Sequence, residues 1–269
     1  MNIERILQTK IPDLTPVYGG VRGRTMSSSH QAYAWKAMME AGLKQVIDLQ
    51  QDYDGDRYKS TCLSHGIGYF HYPVHKGKEY VANMVKDFGK FCELIDRGDF
   101  FISCAQGLHR TDIALCTYWV FYGADKGKEP PVLVGYLKEK GHDAGKIMHV
   151  LNAFYSLLTE QIGVEPMSQE VFKERKGVIR AISLGITKEE LAVRTVQMLH
   201  DYAECQISSE VFRSGFGKIC QDWWQCRYDV PGWLSKLMNE YADCPRDEEK
   251  HGASMTARTG VHGLLPRLS

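Results

Sequence analysis

The first part of the chain alternates short apolar runs with stretches of helical periodicity. Gln31 to Glu40 reads as a helix, and Val46-Ile-Asp-Leu49, following Ala41-Gly42-Leu43, reads as a short buried strand. Ile67 to Tyr72 is aromatic and β-branched and stops at Pro73, the signature of a second strand. From Val81 to Asp96 the apolar positions Val81, Met84, Val85, Phe88, Phe91, Cys92 and Ile95 recur at helical spacing. Phe100 to Ser103 is another buried strand. Arg110 to Tyr122 is a helix closed by Gly123 and apolar almost all round, which places it in the core. Strands alternating with helices predict an α/β domain, a mainly parallel sheet flanked by helices.

The pattern changes after Gly163-Val-Glu-Pro166. Val171, Phe172, Val178, Ile179 and Ile182 form one helical stripe. Thr187-Lys-Glu-Glu190 fits a capping box opening a helix with Leu191, Thr195, Met198, Leu199 and Tyr202 on one side. Phe212, Phe216, Ile219, Cys220 and Trp223 make a third stripe, and Pro231 to Tyr241 a short fourth helix. No strand pattern occurs here. The expected organisation is an α/β domain over residues 1–163, an all-helical module over 164–244 and a flexible tail over 245–269. Gly185-Ile-Thr-Lys-Glu-Glu-Leu191 faintly suggests a helix-turn-helix turn, but a structural or protein-binding role suits the helical module better.

Charge narrows the partners. Thirty-three basic and thirty-three acidic side chains cancel, so no basic excess points to nucleic acid. Met1 to Leu14 has no apolar core of a secretory signal, and Ile113 to Tyr122, the longest apolar run, is too short to cross a bilayer. The eight cysteines form no CxxC pair, which suits free thiols in a reducing compartment. A cytoplasmic chain without membrane contact is therefore expected. A zinc site from Cys205, Cys220, Cys226, Cys244 and His200 or His251 has the wrong spacing for common zinc modules, so buried structural thiols are the preferred reading.

Chemistry concentrates in Phe100-Phe-Ile-Ser-Cys104-Ala-Gln-Gly-Leu-His-Arg110-Thr111. Of the eight cysteines only Cys104 has an arginine six residues on, and it lies between an apolar strand and a buried helix, with Gly107 inside the loop. A loop running from a strand into a helix N-terminus can turn successive N–H groups of Ala105, Gln106, Gly107, Leu108, His109 and Arg110 inward as an anion nest. The helix dipole and those N–H groups favour phosphate and also a cysteine thiolate at the loop base. Arg110 can hold two phosphoryl oxygens bidentately, and Thr111 can hydrogen-bond the sulfur as it leaves. The competing reading is a buried cysteine beside a helix-capping arginine.

On these residues the chain resembles the protein tyrosine and dual-specificity phosphatase superfamily, whose signature is Cys-x5-Arg-Ser/Thr. The resemblance covers roughly Pro16 to Gly123. It extends to Val17-Tyr-Gly-Gly20 as an entering strand and turn, to Gly42 through Leu49, and to Gly66-Ile-Gly-Tyr69 ahead of a proline. It implies a parallel-centred sheet and hydrolysis of phosphomonoesters through a cysteinyl-phosphate, with Cys104 as nucleophile. It implies no metal and no organic cofactor. The substrate is then a phosphorylated protein or a small phosphorylated molecule.

Two departures stand out. Ser103 replaces the histidine that usually precedes the nucleophile. The loop Tyr72-Pro-Val-His-Lys-Gly-Lys-Glu79, where the resemblance places an aspartic general acid, contains none. His75 and Glu79 are the residues there able to donate a proton, with Asp54 and Asp56 of Asp52-Tyr-Asp-Gly-Asp56 as reserves. Arg22, Arg24 and His109 are basic residues expected near the pocket, with Lys76 and Lys78 on the acid loop, a set suited to an inositol phosphate. A phosphate-binding pseudophosphatase is the rival reading.

Overall fold

In the computed structural model, residues 1–8, 14–25, 31–51, 55–133, 144–163, 165–185, 188–204 and 206–226 are described, together with Gly232 and Lys236. Apart from those two residues the predicted helix over 231–241 lies outside them, as do the tail, the capping residue Thr187, Cys205 and Cys244. The chain separates into two compact units, Met1–Lys176 and Gly177–Ser269.

The first unit is α/β. Its sheet has the order β1-β2-β5-β3-β4, built from β1 (Thr15–Val17), β2 (Gly20–Arg24), β3 (Gln45–Asp48), β4 (Gly68–His71) and β5 (Phe100–Cys104). The strands from β2 to β4 pair in parallel, and β1 runs antiparallel to β2. The stretch Val17 to Gly20, expected as an entering strand and turn, is the tight turn of the hairpin that joins β1 to β2. Tyr18 and Gly19 both take positive φ, 47° and 82°, as a two-residue hairpin with the strands' own twist requires.

The helices are α1 (Ile3–Leu7), α2 (Gln31–Glu40), α3 (Gly55–Ser64), α4 (Lys78–Arg97), α5 (His109–Phe121), α6 (Ala144–Ile162) and α7 (Gln169–Leu184). A single turn of 3-10 helix follows α5 at Gly123–Lys126. The unit boundary falls inside α7. Every residue of β5 is buried, as a central strand covered on both faces demands. Helix α5 is buried from Thr111 through Val120, which explains its lack of a polar side. Helix α4 turns Val81, Met84, Val85, Phe88, Phe91, Cys92, Leu94 and Ile95 inward, the predicted stripe with Leu94 added. Phe154 of α6 meets Phe88 of α4 and Phe121 of α5 at ring separations of 4.9 and 4.7 Å, which fixes α6 against both.

The second unit contains α8 (Lys188–Ala203) and α9 (Ser209–Cys226). They share a core of Leu191, Leu199, Tyr202, Phe212, Phe216, Ile219 and Trp223, close to the stripes read from the sequence. Trp223 satisfies its buried indole N–H on the Thr195 hydroxyl at 3.0 Å, and that hydroxyl donates to the Leu191 carbonyl at 2.7 Å. The Ser208 hydroxyl caps α9 by accepting from the Val211 N–H at 3.2 Å. Among the described residues, no helix is long and apolar enough to cross a membrane, and no three His, Cys, Asp or Glu side chains cluster as metal ligands would.

Candidate active site

A parallel sheet gathers its strand C-termini on one edge, and loops leaving that edge are the usual place for ligands. Two such loops meet here. One leaves β5, the central strand, at Cys104 and enters α5 at His109. The other leaves β4 and runs from Tyr72 to Gly77 before α4. Ladders on both sides hold the end of β5. Thr25 N–H donates to the Cys104 carbonyl at 3.0 Å, and Leu49 N–H to that of Ser103 at 2.9 Å. The loop after β4 is anchored by Tyr72, whose hydroxyl reaches the Met84 carbonyl at 2.9 Å and whose ring stacks on Phe91 at 4.4 Å.

Between the loops lies a cavity of about 510 Å³ lined by Val74, His75, Lys76, Cys104, Ala105, Gln106, His109, Arg110, Ile113 and Lys146. Of the residues singled out from sequence, His75, Lys76, Cys104, Ala105, Gln106, His109 and Arg110 thus line one cavity. Cys104, at the base, is only 3 % exposed. The wholly buried Thr111 donates its hydroxyl to the Cys104 Sγ at 3.5 Å. Gly107 adopts φ +70°, and a Cβ there would overlap the Gly23 carbonyl, so the sharp turn and the close approach both require glycine. Its N–H turns back onto the Cys104 carbonyl at 2.9 Å.

His75 Nδ1 accepts the Gly77 N–H at 3.1 Å, which in a neutral ring leaves the proton on Nε2. Its ring meets Tyr80 edge-on at 5.1 Å. Glu79 is exposed on the first turn of α4 and is not part of the lining, nor is Lys78. Asp54 and the side chain of Asp56 lie outside the described residues. The described lining contains no carboxyl group.

Arg22 corrects an expectation. It does not face the pocket. It is 0 % exposed and lies behind the loop, where its guanidinium donates to the Gly107 carbonyl at 2.9 Å and the Leu108 carbonyl at 3.1 Å. It also forms a buried ion pair with Asp112 on α5. A cation that deep has to meet fixed acceptors, and this edge of the loop supplies them. Burial pushes the Asp112 carboxyl up to about 6, against the pull of Arg22. Arg24 Nε donates to the Ala105 carbonyl at 3.2 Å from an exposed position, so it too braces the loop.

Lys146, on the first turn of α6, was not foreseen. No local motif marks it; it reaches the lining because α6 packs its Ile147, Met148, Leu151 and Phe154 inward. Val74 and Ile113, the apolar walls, were likewise not distinguished in the sequence from ordinary core positions. Arg110 lines the same cavity as Cys104.

No family model matches the chain, and no curated protein matches it. Solved structures similar to it include the crystal structure of P. aeruginosa TpbA, at 13% identity, covering 63% of this chain and 87% of that one with a TM-score of 0.29. A second is a Cys-to-Ser variant of the same P. aeruginosa protein in complex with pTyr, at 10% identity, covering 64% and 88% with a TM-score of 0.29.

Proposed function

We propose that the chain is a phosphomonoester hydrolase that works through a cysteinyl-phosphate intermediate. One observation carries this reading: the Cys104 Sγ sits at the base of a cavity that Arg110 also lines, at the mouth of α5, with the Thr111 hydroxyl directed at the sulfur. Backbone N–H groups at a helix N-terminus are suited to the non-bridging oxygens of a phosphate dianion. The N–H groups of Ala105, Gln106, Leu108 and His109, with Arg110, are the groups assigned to it.

In the first step the Cys104 thiolate attacks phosphorus and the P–O bond to the leaving group breaks. The leaving oxygen takes a proton from an acid, for which His75 is the candidate from its place in the lining; it acts as the imidazolium, a form in which Nδ1 carries a proton and no longer accepts the Gly77 N–H. Arg110 holds two equatorial oxygens through the in-line displacement. In the second step water attacks phosphorus, its proton passes to the now neutral His75, which restores the acid, and the P–S bond breaks. The departing thiolate is stabilised by the Thr111 hydroxyl. No step requires a metal or an organic cofactor.

The favoured substrate is a phosphorylated protein side chain, phosphotyrosine or phosphoserine/threonine, with Val74 and Ile113 as apolar walls. A second reading, an inositol phosphate, is favoured by the basic groups His75, Lys76, His109 and Lys146 around Arg110 with no carboxylate among them.

The test is hydrolysis of p-nitrophenyl phosphate by the intact chain and by Cys104→Ser. Turnover by the parent and its loss in the variant, with phosphate binding kept, is the expected result. Undiminished hydrolysis by Cys104→Ser removes the reading. A parent that binds phosphate without turnover is a phosphate-binding module instead.

A further inference from the structure

We infer that Arg22, a residue outside the Cys-x5-Arg loop, is a positioning residue that aims the loop's N–H groups into the cavity by holding its carbonyls from behind. The inference rests on the reading of that loop as an oxyanion cradle.

A trans peptide is planar, so its C=O and the following N–H point in opposite directions. Arg22 draws the Gly107 and Leu108 carbonyls to the same guanidinium nitrogen, at 2.9 and 3.1 Å, and is itself buried and not among the residues that line the cavity. The N–H groups on the far side of those two peptides belong to Leu108 and His109, and they are turned the other way. The Leu108 carbonyl is pinned twice, since it also accepts the first α5 hydrogen bond from Asp112 N–H at 2.8 Å. One guanidinium thus sets the orientation of two consecutive peptides at the point where the loop becomes helix.

Two further contacts make the clamp rigid. Arg22 lies on β2, the parallel neighbour of β5, with Arg24 opposite Cys104 in the register. The support and the nucleophile therefore sit on adjacent strands. The other terminal nitrogen of Arg22 is paired with Asp112, which meets its charge and leaves the first nitrogen to the two carbonyls. Gly107 without a side chain lets the loop lie directly on the Gly23–Arg24 backbone, bringing its carbonyl within reach.

A buried arginine can also be only a staple between β2 and α5. The two roles separate because the staple uses Asp112, whereas the positioning role uses the loop carbonyls. Lysine at position 22 keeps the charge but has no planar fork to hold two carbonyls and a carboxylate together. Asparagine at position 112 keeps an acceptor for Arg22 and removes the charge.

The experiment measures tungstate binding by calorimetry and p-nitrophenyl phosphate kinetics for the full chain, Arg22→Lys and Asp112→Asn, with near-ultraviolet circular dichroism as the folding control. Arg22→Lys is expected to weaken tungstate by about tenfold, as loss of bidentate geometry does, and to lower kcat by roughly 10²-fold, the cost of a misplaced site. The fall in kcat should exceed the rise in KM. Asp112→Asn should shift tungstate affinity much less than Arg22→Lys. A folded Arg22→Lys with tungstate affinity and kcat close to the parent's overturns the inference. So does Asp112→Asn weakening tungstate by tenfold or more, and that variant decides alone if Arg22→Lys does not fold. Tungstate binding is read whether or not the chain turns over phosphate. A failed phosphatase reading, seen as undiminished hydrolysis by Cys104→Ser, therefore stays distinct from a failed clamp.

Discussion

The Thr111 hydroxyl donates to the Cys104 Sγ across 3.5 Å, and both groups are buried. A hydrogen bond to sulfur matters most when the sulfur is an anion, that is, when it leaves phosphorus. Thr111→Ala is therefore expected to slow breakdown of the cysteinyl-phosphate more than its formation. Pre-steady-state release of p-nitrophenolate should show a burst in Thr111→Ala, and Thr111→Ser should restore the parent's steady state. Equal slowing of both phases would place Thr111 in packing alone.

Cys104 should be the described cysteine that alkylates first at neutral pH. Burial pushes the Cys62 thiol up to about 12 and that of Cys220 up to about 11, and it raises Cys92 and Cys116 as well. A thiol reacts through its thiolate, so these four are suppressed at pH 7. Iodoacetamide labelling followed by peptide mass spectrometry checks the order. Phosphate in the buffer should protect Cys104 selectively. Labelling of Cys62 or Cys116 ahead of Cys104 would contradict the assignment.

Gly107→Ala is expected to destabilise the loop. Its φ of +70° disfavours any side chain, and the added Cβ would strike the Gly23–Arg24 backbone. The left-handed conformation alone costs about 1–2 kcal/mol, and the overlap forces the loop off its support. Both tungstate affinity and kcat should fall, with a lowered melting temperature. A variant matching the parent in all three would show that the loop can sit elsewhere.

If His75 is the acid, its loss should depend on the leaving group. His75→Ala is expected to slow an alkyl phosphate by roughly 10²–10⁴-fold, the usual contribution of a positioned acid. p-Nitrophenyl phosphate, whose leaving group departs without a proton, should be slowed far less. Paired assays on the two substrates give the answer. Glu79→Ala, exposed and outside the cavity lining, should show no such dependence.

Asp112 gives the fold a defined pH response. Its carboxyl sits at about 6 in the folded chain against the ordinary 3.8. Between those values the folded chain holds a proton that the unfolded chain releases. The contribution of this group to stability is therefore fully present below about 3.8 and is lost as pH rises through about 6. Urea unfolding of the parent and of Asp112→Asn at pH 4.5 and pH 7 checks the sign. The parent should gain on the variant at the lower pH.

How much of this was legible beforehand divides along physical lines. Part of the first unit was written in the sequence, because local periodicity and short apolar runs express burial directly; α1, α3, α6 and β2 had no such reading. Strands β3, β4 and β5 and helices α2, α4 and α5 lie where those patterns put them, within a few residues at the ends. The loop was legible too, because Cys104, Gly107, Arg110 and Thr111 lie in one short segment between a strand and a helix, and placement that local is written in spacing. What stands around that loop depends on how distant segments pack. Lys146 reaches the cavity through the packing of α6, whose partners α4 and α5 lie far away in the chain. Arg22 reads in sequence as one more basic residue near a glycine-rich turn. Pairing of β2 with β5 puts it behind the loop, where the Gly107 and Leu108 carbonyls and Asp112 take up its charge. Whether an arginine faces a ligand or a backbone is set by which strand lies next to its own, and strand order is a property of the whole sheet that no local pattern encodes.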